Sequence, residues 1–189
     1  SGSYAPDSTA LDVAGVRYIV SATPYGTDEY SNLEKVKTLL ISDETYGQFM
    51  SGSGSMYPVG TAVNVYENTD YFPKLTLFTK AVIAEDDEQA AEIFETMGVK
   101  NTVVITTKNP APKIASLNNP NSVLKENLEL KKYTNTEVLI HTDTAVPGVL
   151  MLNDGYQSSW RVKIDGERAE LLKADVALRG VYLPKGEHV

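Results

Sequence analysis

From residue 128 to its end the chain reads as a succession of short β-strands, and this restricts its fold more than any other feature. Leu128 and Leu130, then Val138 and Ile140, alternate with polar neighbours on either side of Tyr133-Thr134-Asn135-Thr136. That period of two is what half-buried strands show when a tight turn joins them. Pro147-Gly148 breaks the chain before the unbroken apolar run Val149 to Leu152, which reads as a central strand covered on both faces, and Asn153-Asp154-Gly155 reads as a turn. Trp160, Val162 and Ile164 alternate up to Asp165-Gly166, a pair whose tolerance of positive φ suits a two-residue hairpin turn. Leu171 and Leu172, then Val181 and Leu183, mark further strands. Strands this short, with turn signals every 8 to 12 residues or so, point to an antiparallel β-sandwich or jelly roll.

Residues 1–127 are mixed. Val16 to Val20, Val63 to Tyr66, Leu75 to Ile83 and Val103 to Thr106 are rich in β-branched and aromatic residues and read as strands. Leu33, Val36, Leu39 and Leu40 lean the same way. One helix is clear: Asp86 and Gln89 have capping-box spacing, Ala90, Ile93, Phe94 and Met97 share a face, and Gly98 ends it. Asn109-Pro110-Ala111-Pro112 and Asn118-Asn119-Pro120-Asn121 suit turns and oppose helix, so the boundary is placed there, with an α+β part over 1–127 packing onto the β part over 128–189. The class expected is mainly β, of α+β type. The glycine- and serine-rich Tyr46 to Gly60 reads as a loop. Ser1-Gly2-Ser3 reads as a linker, and Leu183 to Val189 as a strand, a turn and the opening of another strand, so a segment of a longer protein with its last strand cut short is expected. The apolar runs Val149 to Leu152 and Leu39 to Ile41 fall far short of the roughly 20 residues that span a bilayer.

Composition removes several chemistries. With no cysteine and two histidines, His141 and His188, neither at a metal-ligand spacing, no metal or cofactor site is expected. His141 alternates with Ile140 and is read on the solvent face, while His188 is read at a frayed end. A net charge of −8 and a pI near 4.8 argue against nucleic acid as a partner. Gly52-Ser53-Gly54 lacks the lysine of a phosphate loop, the serines have no neighbouring histidine to act as base, and Glu85 to Glu88 serve a helix N-terminus rather than a calcium loop. Asp154, Asp165 and Asp175 are the carboxylates that a glycoside hydrolase would have to bring together. The segment Asn153 to Trp160 combines aromatic rings with short polar groups, the pairing by which β-proteins hold sugars. Tyr156, Trp160 and Asp154 are therefore the candidate ligand contacts, although a lone tryptophan opening an alternating strand also suits a core role.

The same segment carries a family resemblance. Trp160-Arg161-Val162-Lys163-Ile164-Asp165-Gly166-Glu167 and the stretch Ala174 to Val189 resemble the C-terminal extracytoplasmic end of YfhO-type bacterial membrane proteins. Gly15 to Val20 resembles the first strand after that family's last membrane segments, and Val65 to Asn68 with Phe72 to Lys74 resembles its Tyr-Glu-Asn and Leu-Pro-Arg stretch. Gln157-Ser158-Ser159 stands where the family has Tyr-Pro-Gly, and Tyr46 to Gly60 is extra. The resemblance implies a large polytopic protein of the GT-C type, similar to glycosyltransferases that draw on a polyprenyl-phosphate sugar carrier. The acidic catalytic residues of such proteins lie in outer loops of the membrane portion, so no catalytic residue is carried over. What the resemblance leaves for this chain is an accessory domain on the extracytoplasmic face, with its own membrane-embedded portion and envelope glycan as partners. A freestanding carbohydrate-binding or adhesive β-sandwich and a soluble glycoside hydrolase are the alternatives.

Overall fold

The computed structural model describes residues 9–26, 30–40, 62–97, 101–124 and 127–189. The expectations for Ser1 to Ser3 and for Tyr46 to Gly60 lie outside them. The chain divides between Tyr71 and Phe72 into two compact units. In the first, helix α1 (Thr9–Val13) precedes strands β1 (Tyr18–Ser21), β2 (Leu33–Leu40) and β3 (Ala62–Asn68), which form an antiparallel sheet in the order β1-β3-β2. Val13, Leu33, Val63 and Tyr66 are buried there. The buried Asn68 amide donates to Asp12 Oδ1 at 2.7 Å and to the Val16 carbonyl at 3.1 Å, so its desolvation is offset by bonds within the unit.

The second unit carries β4 (Leu75–Ala84), α2 (Asp87–Met97), β5 (Val103–Thr106), α3 (Pro112–Ala115), β6 (Asn118–Leu124), β7 (Leu128–Tyr133), β8 (Val138–Thr144) and β9 (Gly148–Gly155). After them come β10 (Val162–Ile164), β11 (Glu167–Ala169), β12 (Leu172–Ala174), β13 (Leu178–Leu183) and β14 (Gly186–His188). The mainly β class is observed, but the expected sandwich gives way to a closed ring: β4, β5, β12, β13 and β9 pair in turn, and β9 returns to β4. Closure depends on the length of β4. Its first half pairs with β9 over Leu75 to Phe78, and its second half lies parallel to β5 over Ala81 to Ala84. A parallel pair needs a crossover, and α2 supplies it. Gln89 N–H donates to Asp86 Oδ1 at 2.9 Å and Gln89 Oε1 accepts from Glu85 N–H at 2.7 Å, so the capping groups read from the sequence do start α2.

These pairings correct the boundary expected at 127/128, because β4, β5 and β6 belong to one sheet with β9, β12 and β13. The proline-rich stretch also differs from expectation. Pro112 opens the single turn of α3, where its missing N–H costs nothing, and Pro120 sits in β6, next to a register shift at the edge of the sheet. Registers place Thr76, Phe78, Val149, Met151, Leu172, Ala174 and Gly180 on one face, the filled interior expected of a small barrel. On the opposite face, Leu77, Leu150 and Leu183 pack against Leu128 and Ile140, which lays the three-stranded sheet β14-β8-β7 on the outside of the barrel wall. Burial of β9 on both faces follows, as the unbroken run Val149 to Leu152 requires. The β10–β11 hairpin turns at Asp165 and Gly166 with φ of 53° and 88°, both in the left-handed region. Among the described residues no helix is long and apolar enough to cross a membrane.

Candidate functional site

Asn153 and Asp154 do not form the turn expected of them. β9 runs through to Gly155, and the register against β13 jumps from Arg179↔Leu152 to Leu178↔Gly155, so both residues bulge from that pairing while the Asn153 N–H donates to the Lys74 carbonyl at 2.9 Å. A bulge of this kind re-aims its side chains. Asp154 Oδ2 accepts from the Tyr133 hydroxyl at 2.7 Å, is ion-paired to Arg179 Nη2, and lies 3.9 Å from Lys74 Nζ. Lys74 Nζ also donates to the Asn153 carbonyl at 2.8 Å and stands 4.7 Å from the Tyr133 ring centre. Burial alone would raise the Asp154 carboxyl, but the Tyr133 hydroxyl, Arg179 and Lys74 together hold it below the ordinary carboxylate range. Asp154 is therefore an anion that Arg179 and Lys74 already neutralise.

Arg179 is buried, with 6% of its surface exposed, and its Cζ lies 4.3 Å from the centre of the Trp160 ring. The ring thus covers the guanidinium of an ion pair on the outer barrel wall, an attraction that strengthens as water is excluded. Among the described residues Arg179 Nε has no hydrogen-bond partner. Trp160 is itself held by its loop: its N–H donates to the Gln157 carbonyl at 3.1 Å, and Arg161 Nη1 donates to the carbonyls of Ser158 at 2.6 Å and Trp160 at 2.8 Å.

Beside this stack lies a cleft of about 590 Å³. Leu150, Leu152 and Val181 of the barrel wall floor it, Val138 and Ile140 of β8 form one side, and Trp160 and Val162 form the other. Its exposed lining is polar, with Asn135, Thr136, Glu137, Gln157, Ser159 and Arg161. Of the three expected contacts, only Trp160 lines this cleft. Asp154 is joined to it through Arg179, and the half-buried Tyr156, whose N–H donates to the Ala177 carbonyl at 2.7 Å, lies outside its lining. Sequence reading missed Tyr133, Lys74 and Arg179. The available signal was Arg179, which alternates with Val181 and Leu183 on a strand face that is otherwise apolar.

The other carboxylates are engaged elsewhere. Asp165 Oδ2 lies 2.7 Å from His188 Nδ1, and that bond, with the Val189 N–H on Oδ1, holds the Asp165 carboxyl below its ordinary range. His188 accordingly belongs to β14 and is not frayed, because this bond and the pairing with β8 hold it. Asp175 is buried in the β12–β13 turn, with Oδ1 accepting the Val104 N–H at 2.8 Å. Asp154, Asp165 and Asp175 share no partner and none lines the cleft. His141 is exposed, as its place in the alternation predicts. Among the described residues no three His, Asp or Glu side chains are grouped to hold a metal ion. Compared with family models, curated proteins and solved structures, the chain matches none.

Proposed function

We propose that this chain is a non-catalytic, extracytoplasmic ligand-binding domain of a polytopic bacterial membrane protein of the YfhO type, and that it holds envelope glycan for a GT-C-like membrane portion. The observation that carries this reading is the mouth of the cleft. The Trp160 ring, two side-chain amides and two hydroxyls stand around an apolar floor there, in Trp160, Asn135, Gln157, Thr136 and Ser159, with the charged Glu137 and Arg161 beside them. A sugar presents an apolar ring face and a rim of hydroxyls, and needs that combination of stacking surface with donors and acceptors. The carboxylate of Asp154 supports the site from behind by fixing Arg179, on which Trp160 rests. Tyr156 contributes to the loop and makes no contact with the sugar.

Titration of the protein with short envelope oligosaccharides tests this, with the fluorescence of Trp160, the single tryptophan, as the signal. Saturable quenching that weakens in Gln157→Ala and Asn135→Ala but not in Tyr156→Ala is expected. Binding that ignores all three substitutions, or no binding by any oligosaccharide tried, would remove the glycan reading.

A further inference from the structure

The protein carries a net charge of −8, yet the β10–β11 hairpin, whose first strand walls the cleft, turns a cationic face to solvent. Val162, Ile164 and Ala169 are half-buried, whereas Arg161, Lys163 and Arg168 are exposed. The register sets Lys163 directly opposite Arg168, and directly opposed residues share a face. Arg161, two residues before Lys163, belongs to that face as well. Like charges directly across a strand pair are destabilising, and the structure does not offset them. Among the described residues none of the three is ion-paired: Glu170, on their own face, and Glu167, at the turn, reach none of them, and Asp165 is taken by His188. We propose that the sugar held in the cleft is a hexuronic acid, its ring carboxylate received by the Arg161 guanidinium with Lys163 and Arg168 behind it. This rests on the glycan reading and adds to it the charge of the ligand.

Arg161 is the residue that joins the cationic face to the cleft, since it lines the cleft between Trp160 and Val162. Its Nη1 is fixed by the carbonyls of Ser158 and Trp160, which holds the guanidinium against the loop that carries Gln157, Ser159 and the indole. Its Nε and Nη2 make no hydrogen bond among the described residues. The N–H groups of those two nitrogens lie parallel along one edge of the planar group, at the spacing of the two oxygens of a carboxylate. A pyranose that carries its carboxyl on a ring carbon presents that group at the ring edge, so a ring set against Trp160 brings its carboxylate to the neighbouring Arg161.

The other charges of the cleft are already matched. Arg179 is ion-paired to Asp154, and Glu137 Oε2 accepts from Lys132 Nζ. The charge left unmatched at the cleft is therefore positive. Lys163 and Arg168 act on the ligand through space, raising the local concentration of an anion, an effect that salt screens.

The test is titration with trigalacturonate and with its trimethyl ester, which keeps the rings and hydroxyls and removes the charge, followed by Trp160 fluorescence at low and at physiological salt. The acid should bind about ten-fold more tightly than the ester. Arg161→Gln should cancel most of that preference, and Arg161→Lys, a charge without the two-donor edge, should keep only part of it. Arg161 also holds its loop, so Lys163→Gln combined with Arg168→Gln supplies an independent measure: about three-fold weaker binding of the acid at low salt, vanishing at physiological salt, with the ester unaffected. Equal affinity for acid and ester would overturn the proposal and leave the glycan reading standing, as would binding of a neutral envelope oligosaccharide by a protein that takes neither probe. If no oligosaccharide binds, both fail. A preference for the acid that survives Arg161→Gln, acid binding at low salt that ignores the double variant, or tighter binding of mannose 6-phosphate than of trigalacturonate would each refute the carboxylate assignment.

Discussion

Asp175→Asn should change how the stability of the second unit depends on pH, and the structure sets the size of the change. Asp175 is 5% exposed, Oδ1 accepts the Val104 N–H at 2.8 Å, and Oδ2 has no hydrogen-bond partner among the described residues. Burial pushes its pKa from the ordinary 3.8 up to about 7, against the pull of the Val104 bond. Between those values the folded chain holds a proton that the unfolded chain has lost. The favourable contribution is therefore fully present below about pH 4 and is lost as pH rises through about 7. A gap of about three pH units, at about 1.4 kcal/mol each, corresponds to about 4 kcal/mol. Asparagine keeps an oxygen for the Val104 N–H and tolerates the φ of 42° at this position, but it carries no charge at any pH. Urea unfolding of both proteins from pH 4 to 8, followed by Trp160 fluorescence, isolates the effect as a difference between two curves. The wild-type stability should fall by about 4 kcal/mol relative to the variant across that range, leaving the variant the more stable at pH 8. A difference that stays flat, or one that rises with pH, would refute the argument that an unpaired buried carboxylate is being forced to ionise.

The remaining expectations concern the wall and the stack. Gly148→Ala would bring a Cβ to 2.5 Å from the Phe78 carbonyl oxygen, and because backbone must give way, a loss of about 2 to 3 kcal/mol in urea unfolding is expected. Arg179→Met should cost about 2 kcal/mol, between the exposed and fully buried limits for ion pairs, because Asp154 keeps Tyr133 and Lys74; carboxyl NMR should show the Asp154 pKa rising. Trp160→Ala should cost about 1 to 2 kcal/mol, less than removal of a core tryptophan, since the ring is half-buried and its main debt is to the Arg179 guanidinium. Tyr156→Ala should stay within about 1 kcal/mol.

Most strands were legible because their patterns are local. The alternation around Leu128 to Ile140, the unbroken run Val149 to Leu152 and the Asp165-Gly166 turn each carry their conformation within a few residues, and each appears where the pattern puts it. What the pattern does not carry is which strand lies beside which. The helix read over Asp86 to Met97 stands between Leu75–Ala84 and Val103–Thr106, and that β-α-β order is the mark of a parallel pair. Reading the helix alone, without its consequence for its neighbours, produces two facing sheets in place of a ring. The misplaced boundary has the same origin. Pro110, Pro112 and Pro120 are strong local signals of broken structure, yet a proline costs little at the first turn of a helix or at a sheet edge, where α3 and β6 use them.

The site shows the converse limit. Tyr156, Trp160 and Asp154 are close in sequence, and proximity in sequence is what drew them together as a group. The fold separates them, because a strand bulge and a loop turn successive side chains in different directions: Asp154 onto the barrel wall, Trp160 over it, and Tyr156 aside. The residues that do meet come from four places in the chain, Lys74, Tyr133, Asp154 and Arg179: the pairing of β9 with β4 and β13 brings three of them together, and the outer sheet carries Tyr133 on β7 to meet them. Arg179 could be singled out beforehand only as a charge on an apolar strand face. A charge in that position is too costly to bury alone, so it signals that partners exist without identifying them. The stack that results is a neutralised pair capped by an aromatic ring. At the stack a ligand would meet an aromatic ring over a neutralised pair, and Glu137 and Arg161, which also line the cleft, add charge of both signs beside it.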